Sequence, residues 1–520
     1  MKYRNTLTTI LSVVLLAVSS LAFARDYTAV NTAQGRVIGS TSDDLVVFKG
    51  VPYATPPIGD LRWRAPQPPA RFTKPLVADT FGQKCIQRPP NPNFAQKPER
   101  YTQEESEDCL YLNIYRPDNG DSDLPVMVWI PGGGLVSGSG SRPVNYGGNL
   151  AKRDVIVVAI NYRLGAFGFF AHPDLSAQNA DNGRLFNYGL MDQIAALEWV
   201  QQNIERFGGN PSNVTIFGES AGAYSVQALV ASQAGKGLFH KAISQSGYGR
   251  GEQPKVAAQL AKEDESIEAM GVAMAAKLGD EGMNIAALRD LPAEDILGAT
   301  DYTSFIEFAV DGKLIRNDIE TLFQTGQQAK VPLLIGANDF EFGMVPHAAQ
   351  RNIMAPLLPE GALDKLAEVY GGEQLRDTML YSDYVFHAQA RLVAQAHEKQ
   401  GNSVYVYRFA MPVVGATPFN YAQGKVWGAP HASDLPYLFG NFTGDHGEST
   451  EPDETMLMIS AQMMRYWTNF AKKGNPNGTE LTQWPQYKGK KIALISPDGI
   501  VAKTDNWLSR LKAVNAYFDH

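Results

Sequence analysis

Ser220 stands in the stretch "NVTIFGESAGAYSV", between Gly218 and Gly222 and directly behind an apolar run. A serine hydroxyl attacks a carbonyl carbon at neutral pH only with a base in hydrogen-bond reach, a third group that orients the base, and donors for the oxyanion. Each part can be sought separately. The run "VTIF", the turn "GESAG" and the helix-compatible residues after it predict strand, sharp turn and helix, with small neighbours that let the serine take a strained backbone above a sheet. Upstream, "WIPGGGL" sets Gly132, Gly133 and Gly134 behind another strand-like run. Their unobstructed N–H groups, together with that of Ala221, form a candidate set of oxyanion donors. A dinucleotide fingerprint is excluded there, because the third glycine it requires falls on Ser137.

The chain has eight histidines. His240, His387, His397 and His446 lie in helix-like or polar runs, and His520 is the terminus. His431 differs: "VWGAPHASDLPYLFGN" sets it in a Gly- and Pro-containing loop downstream of the strand-like "VYVYRFA", where it can reach over the carboxyl edge of a sheet. For the orienting acid, "LLIGANDFEFGMV" offers Asp339 and Glu341 just past a further strand, and the residues alone leave both open. The order serine, acid, histidine is that of an α/β-hydrolase.

These residues need a scaffold that brings distant loops together. The runs "DLVVFKGVPYA", "LPVMVWIPGGG", "DVIVVAINYRLG", "NVTIFGESAG", "KAISQSG", "VPLLIGAND", "SVYVYRFA" and "KIALIS" are apolar without clean alternation, as expected of strands buried on both faces. Helical patterns lie between them. In "GLMDQIAALEWVQQNIERFGG", Leu190, Ile194, Leu197, Val200 and Ile204 recur at helical spacing until Gly208 and Gly209 end the run. Strands alternating with helices predict an α/β fold with a large, mostly parallel sheet and helices on both faces. Residues 251 to 330 and 345 to 400 read as helical insertions that form caps or pocket walls. No repeat or linker separates domains.

The composition of the 520-residue chain, 44% hydrophobic and 19% charged, is that of a globular protein with a sizeable core. A net charge of −8 without any basic run argues against a nucleic-acid partner. Residues 1–24 read as a signal peptide: Lys2 and Arg4, a short apolar stretch, then Ala22-Phe23-Ala24 before the expected cut at Arg25. No later run is long and apolar enough to predict a membrane span. The mature chain, 25–520, reads as a single catalytic domain, periplasmic or secreted. Its cysteines, Cys85 and Cys109, are an even pair in a compartment that permits disulfides; a bridge between them would add roughly 3 kcal/mol, and two buried thiols are the alternative. The sequence holds no zinc-binding pattern, and "DNGDSD" lacks the glycine and glutamate of a calcium loop, so no metal or organic cofactor is expected. Oligomeric state is not legible.

Along nearly its whole mature length the chain resembles the type-B carboxylesterase/lipase family, which also contains the cholinesterases. "FGGNPSNVTIFGESAG" is similar to the family's active-site serine signature and "EDCLYLNI" to its second signature; "FKGVPYATPPIGDLRWRAP", "NYRLGAFGF", "SQSG" and "HASDLPYLFG" are similar too. The resemblance implies Ser220 as nucleophile, Glu341 as acid, His431 as base and Gly133, Gly134 and Ala221 as oxyanion donors. It also implies a Cys85–Cys109 disulfide, ion pairs of Arg62 with Glu107 and Arg163 with Asp192, and a field from Glu219 on the imidazolium. The chain departs from the family's pattern at Pro131, where a histidine is common, at Phe340-Glu341-Phe342, where Asp-Glu-Gly is usual and Gly343 is displaced, and at Ala223. The implied reaction is cleavage of a small-molecule carboxylic ester through an acyl-enzyme. An amidase or thioesterase with the same triad is the runner-up, and a non-catalytic binding module is the reading from another class. Trp427, Phe340, Phe342 and Tyr224 are candidate pocket residues for short to medium acyl esters.

Overall fold

A computed structural model describes residues 26–88, 103–248, 266–279, 284–301, 304–341, 347–411, 428–442 and 451–518. Residues 1–24, read above as a signal peptide, and Phe342, Gly343, Trp427, His446 and His520 lie outside them.

The central sheet has eleven strands: β1 Ser40–Ser42, β2 Leu45–Pro52, β3 Tyr111–Pro117, β4 Leu124–Ile130, β5 Ile156–Ile160, β6 Gly209–Glu219, β7 Lys241–Gln245, β8 Leu333–Asn338, β9 Val404–Phe409, β10 Lys491–Ser496 and β11 Gly499–Thr504. Their spatial order is β11-β10-β9-β8-β7-β6-β4-β5-β3-β2-β1. From β5 across to β10 every neighbour is parallel, whereas β11 and the β3-β2-β1 edge pair antiparallel. The mostly parallel sheet expected from the apolar runs is present. Each quoted run supplies a strand; β1, β3 and β11 are additional.

Alternation explains why these runs look continuously apolar. Along β4, Val126, Val128 and Ile130 join a core on one face, with Leu190, Ile194 and Leu197 of helix Tyr188–Asn203 and Val226 and Leu229 of helix Ala221–Ala231. Met127 and Trp129 point the other way, to a second core with Ile459, Met463, Trp467 and Phe470 of helix Glu454–Lys473. A strand covered on both faces needs apolar residues at both parities. Helix Tyr188–Asn203 passes into a short 3-10 turn that ends at Gly208 in the left-handed region, and Gly209 already belongs to β6.

The segments expected as helical insertions carry helices at Ile267–Leu278, Ile285–Asp290, Ala293–Gly298 and Ile319–Gln324, with non-helical chain over 304–318, and a second group from His347 to Lys399. Cys85 and Cys109 form a disulfide. Arg62 binds Glu107 through two bonds of 2.7 and 2.5 Å, and buried Arg163 grips Asp192 at 2.8 and 2.7 Å. Among the described residues, no helix is long and apolar enough to cross a membrane.

Candidate active site

The carboxyl ends of parallel strands gather the predicted residues at one edge of the sheet, where open α/β sheets build their sites. Ser220 follows β6 directly, with φ 57° and ψ −124°, before helix Ala221–Ala231 begins. A non-glycine residue in that region is strained by about 1–3 kcal/mol and persists only when its surroundings dictate it. Here they do. A Cβ on Gly222 would stand 2.0 Å from the Ile130 carbonyl, and one on Gly218 would stand 2.5 Å from the Gly222 backbone, so both glycines are required by close approach of main chain to main chain. The Ser220 N–H donates to Gln245 O at 2.9 Å, which fixes the turn from the β7 side.

His431 Nε2 lies 2.8 Å from Ser220 Oγ, and its Nδ1 lies 2.6 Å from Glu341 Oε2. The other Glu341 oxygen accepts the Asn338 N–H at 2.6 Å. Of the two acids left open by the residues, only Glu341 meets the imidazole. Asp339 instead accepts the Ala429 N–H at 2.6 Å. Beside that bond, Phe340 N–H donates to Ala429 O and His431 N–H to Glu341 O, both at 3.1 Å. The acid loop and the histidine loop are therefore laced together along their backbones.

The glycine loop follows β4. A Cβ on Gly132 would meet Glu219 O at 2.6 Å and Ser220 Cβ at 3.1 Å, so the loop lies against the serine turn. No hydrogen-bond acceptor among the described residues takes the N–H of Gly133, Gly134 or Ala221. Unspent backbone donors beside a strained serine have the makings of an oxyanion hole. Pro131 uses its carbonyl to accept the Tyr162 hydroxyl at 2.9 Å.

The charges around His431 favour its protonated form. Burial opposes the imidazolium, but Glu219, 3.3 Å from Nε2, and Glu341 on the other nitrogen outweigh it and raise the group to about 9. Burial pushes Glu219 itself up to about 8, against the pull of His431. Neighbouring carboxylates thus drive the first shift and burial the second.

Some neighbours were not assigned from the sequence. Buried Asp434 accepts from Gln245 Nε2 at 2.7 Å, and Trp467 Nε1 donates to Gln245 Oε1 at 3.1 Å, which props the histidine loop on β7. A polar Gln245 at the end of an apolar strand was the available signal. Phe386 packs its ring 5.0 Å from that of His431, and it is carried by a π-helical turn, Asp383–His387, that helical periodicity does not reveal. The Tyr224 ring packs at a tilt against those of Tyr248, 4.8 Å away, and Phe308, 4.7 Å away. Phe340, a candidate pocket residue, is buried in a separate core with Met354, Leu366 and Tyr370, so it supports the acid loop from behind. His240 and His397 make local backbone contacts, with Val214 N and Val331 O.

The model of the Carboxylesterase family matches residues 26–356 and 367–501. The chain is 36% identical over 480 residues to the para-nitrobenzyl esterase of Bacillus subtilis (strain 168), covering 88% of this chain and 92% of that protein. It is 35% identical over 474 residues to human Carboxylesterase 5A, covering 85% of this chain and 80% of the relative. A solved PNB esterase superposes with a TM-score of 0.79 at 32% identity, over 94% of this chain and 99% of its own. The chain belongs to the carboxylesterase family and is a carboxylic ester hydrolase with the α/β-hydrolase fold.

Proposed function

We propose that the chain hydrolyses small carboxylic esters through an acyl-enzyme on Ser220, with His431 as general base and Glu341 as its orienting acid. The observation that carries this reading is the bridge of His431 between Ser220 Oγ and Glu341, at 2.8 and 2.6 Å. His431 takes the serine proton as Oγ attacks the ester carbonyl, while the N–H groups of Gly133, Gly134 and Ala221 receive the oxyanion. His431 then returns the proton to the leaving alcohol. Water repeats both steps on the acyl-enzyme. Glu341 holds the imidazole in one tautomer and stabilises its cation. The aromatic groups near His431 and Ser220, Phe386 and Tyr224 among them, favour apolar substituents on short to medium acyl chains.

The active form in this reading is the chain from Arg25 onward, one catalytic domain exported after removal of residues 1–24. The Cys85–Cys109 bridge supports an oxidising destination, periplasmic or secreted. N-terminal sequencing of the protein recovered from the periplasm or medium tests it.

The activity is tested with p-nitrophenyl acetate, butyrate and octanoate, beside a p-nitroanilide and a thioester, using wild type and Ser220→Ala. Ester turnover that falls by about 10⁴-fold or more in the variant supports the reading. Folded protein inert on all the esters, or Ser220→Ala with wild-type activity, rejects it.

A further inference from the structure

The glycine loop must hold two peptide N–H groups in a fixed direction, although glycine is the residue least able to hold its own backbone. Within one planar peptide, the carbonyl of a residue and the N–H of the next point in opposite directions, so fixing the first fixes the second. The Gly133 carbonyl accepts from Val136 N at 3.1 Å and from Ser137 N and Ser137 Oγ at 3.0 Å each, which sets the plane that carries the Gly134 N–H. The Gly132 carbonyl, whose plane carries the Gly133 N–H, is met from outside by Gly138. A Cβ on Gly138 would stand 2.1 Å from that oxygen. Segment 136–138 therefore sets both directions, and the question becomes what holds segment 136–138.

Gln87 does so from the disulfide ring. Its Oε1 accepts the Gly138 N–H at 2.9 Å, and its Nε2 donates to Gly138 O at 3.3 Å and to Cys85 O at 2.9 Å. The bond to Cys85 also fixes which way the amide faces, so that its oxygen is presented to Gly138. Gln87 is 9% exposed, and Cys85 two residues before it is bridged to Cys109. A chain of contacts thus runs from the disulfide through Gln87 and Gly138 to the peptides of Gly133 and Gly134.

We infer that Gln87 is a positioning residue for the oxyanion donors, through which the disulfide ring braces them. It touches neither substrate nor triad. The inference rests on the reading of Gly133 and Gly134 as oxyanion donors. A misdirected donor weakens the hold on the tetrahedral state more than the hold on the ester, so the loss belongs in kcat rather than in KM.

The test compares wild type with Gln87→Met, which keeps bulk and removes all three bonds, and Gln87→Glu, which keeps only the acceptor for Gly138. Esters give kcat and KM; a trifluoromethyl ketone, which forms a tetrahedral adduct on serine, gives an inhibition constant. Gln87→Met is expected to lower kcat by about tenfold to a hundredfold, weaken the ketone by the same factor and leave KM within about threefold, with Gln87→Glu intermediate. The pH profile stays in place, because His431 and Glu341 are untouched. A Gln87→Met enzyme within about twofold of wild type in kcat and in ketone affinity, or one that loses only KM, overturns the inference. If Gln87→Met does not fold, Gln87→Glu carries the same comparison. Should wild type bind the ketone no tighter than its ester, the oxyanion reading itself fails; should it bind tightly and Gln87→Met equally so, only the brace fails.

Discussion

On one side of the site, the Ser220 turn and Gly132 are held by backbone packed against backbone. On the other, Glu341 and His431, 90 residues apart, are held by hydrogen bonds between two loops. The first side has no room: the Ile130 carbonyl stands where a Gly222 Cβ would go, and the Glu219 carbonyl crowds Gly132. The second side is a lacework of separate hydrogen bonds, from Ala429 to Asp339, His431 to Glu341 and Gln245 to Asp434. Steric positioning fails all at once, because a packed backbone cannot yield by halves. Hydrogen-bonded positioning fails in steps, since each bond contributes only about 0.5–1.5 kcal/mol.

The sharpest break should come on the steric side. Gly222→Ala forces a methyl to within 2.0 Å of the Ile130 oxygen, so esterase activity should vanish and the melting temperature fall by roughly 5 °C or more. Assay beside thermal unfolding checks both, and a stable, active Gly222→Ala would show that the turn is looser than the comparison holds.

Glu341→Gln should come next, with a loss of about 10³- to 10⁴-fold in kcat and an intact fold, because the amide favours the wrong imidazole tautomer. Steady-state kinetics and circular dichroism separate the two. A smaller step is expected at Asp339. Asp339→Ala leaves the Ala429 N–H without its acceptor and lets the histidine loop drift, which should lower kcat by about tenfold to a hundredfold. Asp339→Asn, which retains an acceptor, should recover most of that; if both variants behave alike, the clasp is not what Asp339 contributes.

The smallest effect is a shift along the pH axis. His431 sits above its ordinary value and must lose its proton to act as base, so kcat/KM rises with pH and its acid limb lies above about pH 6.5. Glu219→Gln removes an ionisable carboxyl 3.3 Å from Nε2 that favours the imidazolium when it is charged, and should move that limb to lower pH. Profiles recorded from about pH 5 to 10 decide the sign, and a limb that moves upward would contradict the assignment of Glu219.

The same contrast explains what could be read in the sequence. Steric positioning is local and leaves glycines in fixed places, so Gly218, Gly222 and the run Gly132 to Gly134 were visible in it. Central strands were legible because burial on both faces demands apolar residues at both parities. β3 was harder: "YLNIYRP" hides Asn113 and Arg116, buried because Arg116 donates to Phe207 O at 2.9 Å and to Asp121 O at 3.1 Å. Hydrogen-bonded positioning joins residues far apart in the chain and leaves no spacing. Asp339 and Glu341 therefore could not be told apart by the residues alone, and Gln87, Asp434 and Phe386 carried no signal of their place. The resemblance supplied Glu341; the geometry around it supplies the reason.

The most direct test of Ser220 as the nucleophile and His431 as its base is covalent capture. Wild type and His431→Ala are treated with a fluorophosphonate, followed by intact-mass spectrometry and peptide mapping. One adduct is expected, on Ser220, formed at least about a thousandfold faster in wild type than in His431→Ala. An adduct on another residue, or equal rates in the two proteins, would contradict these roles.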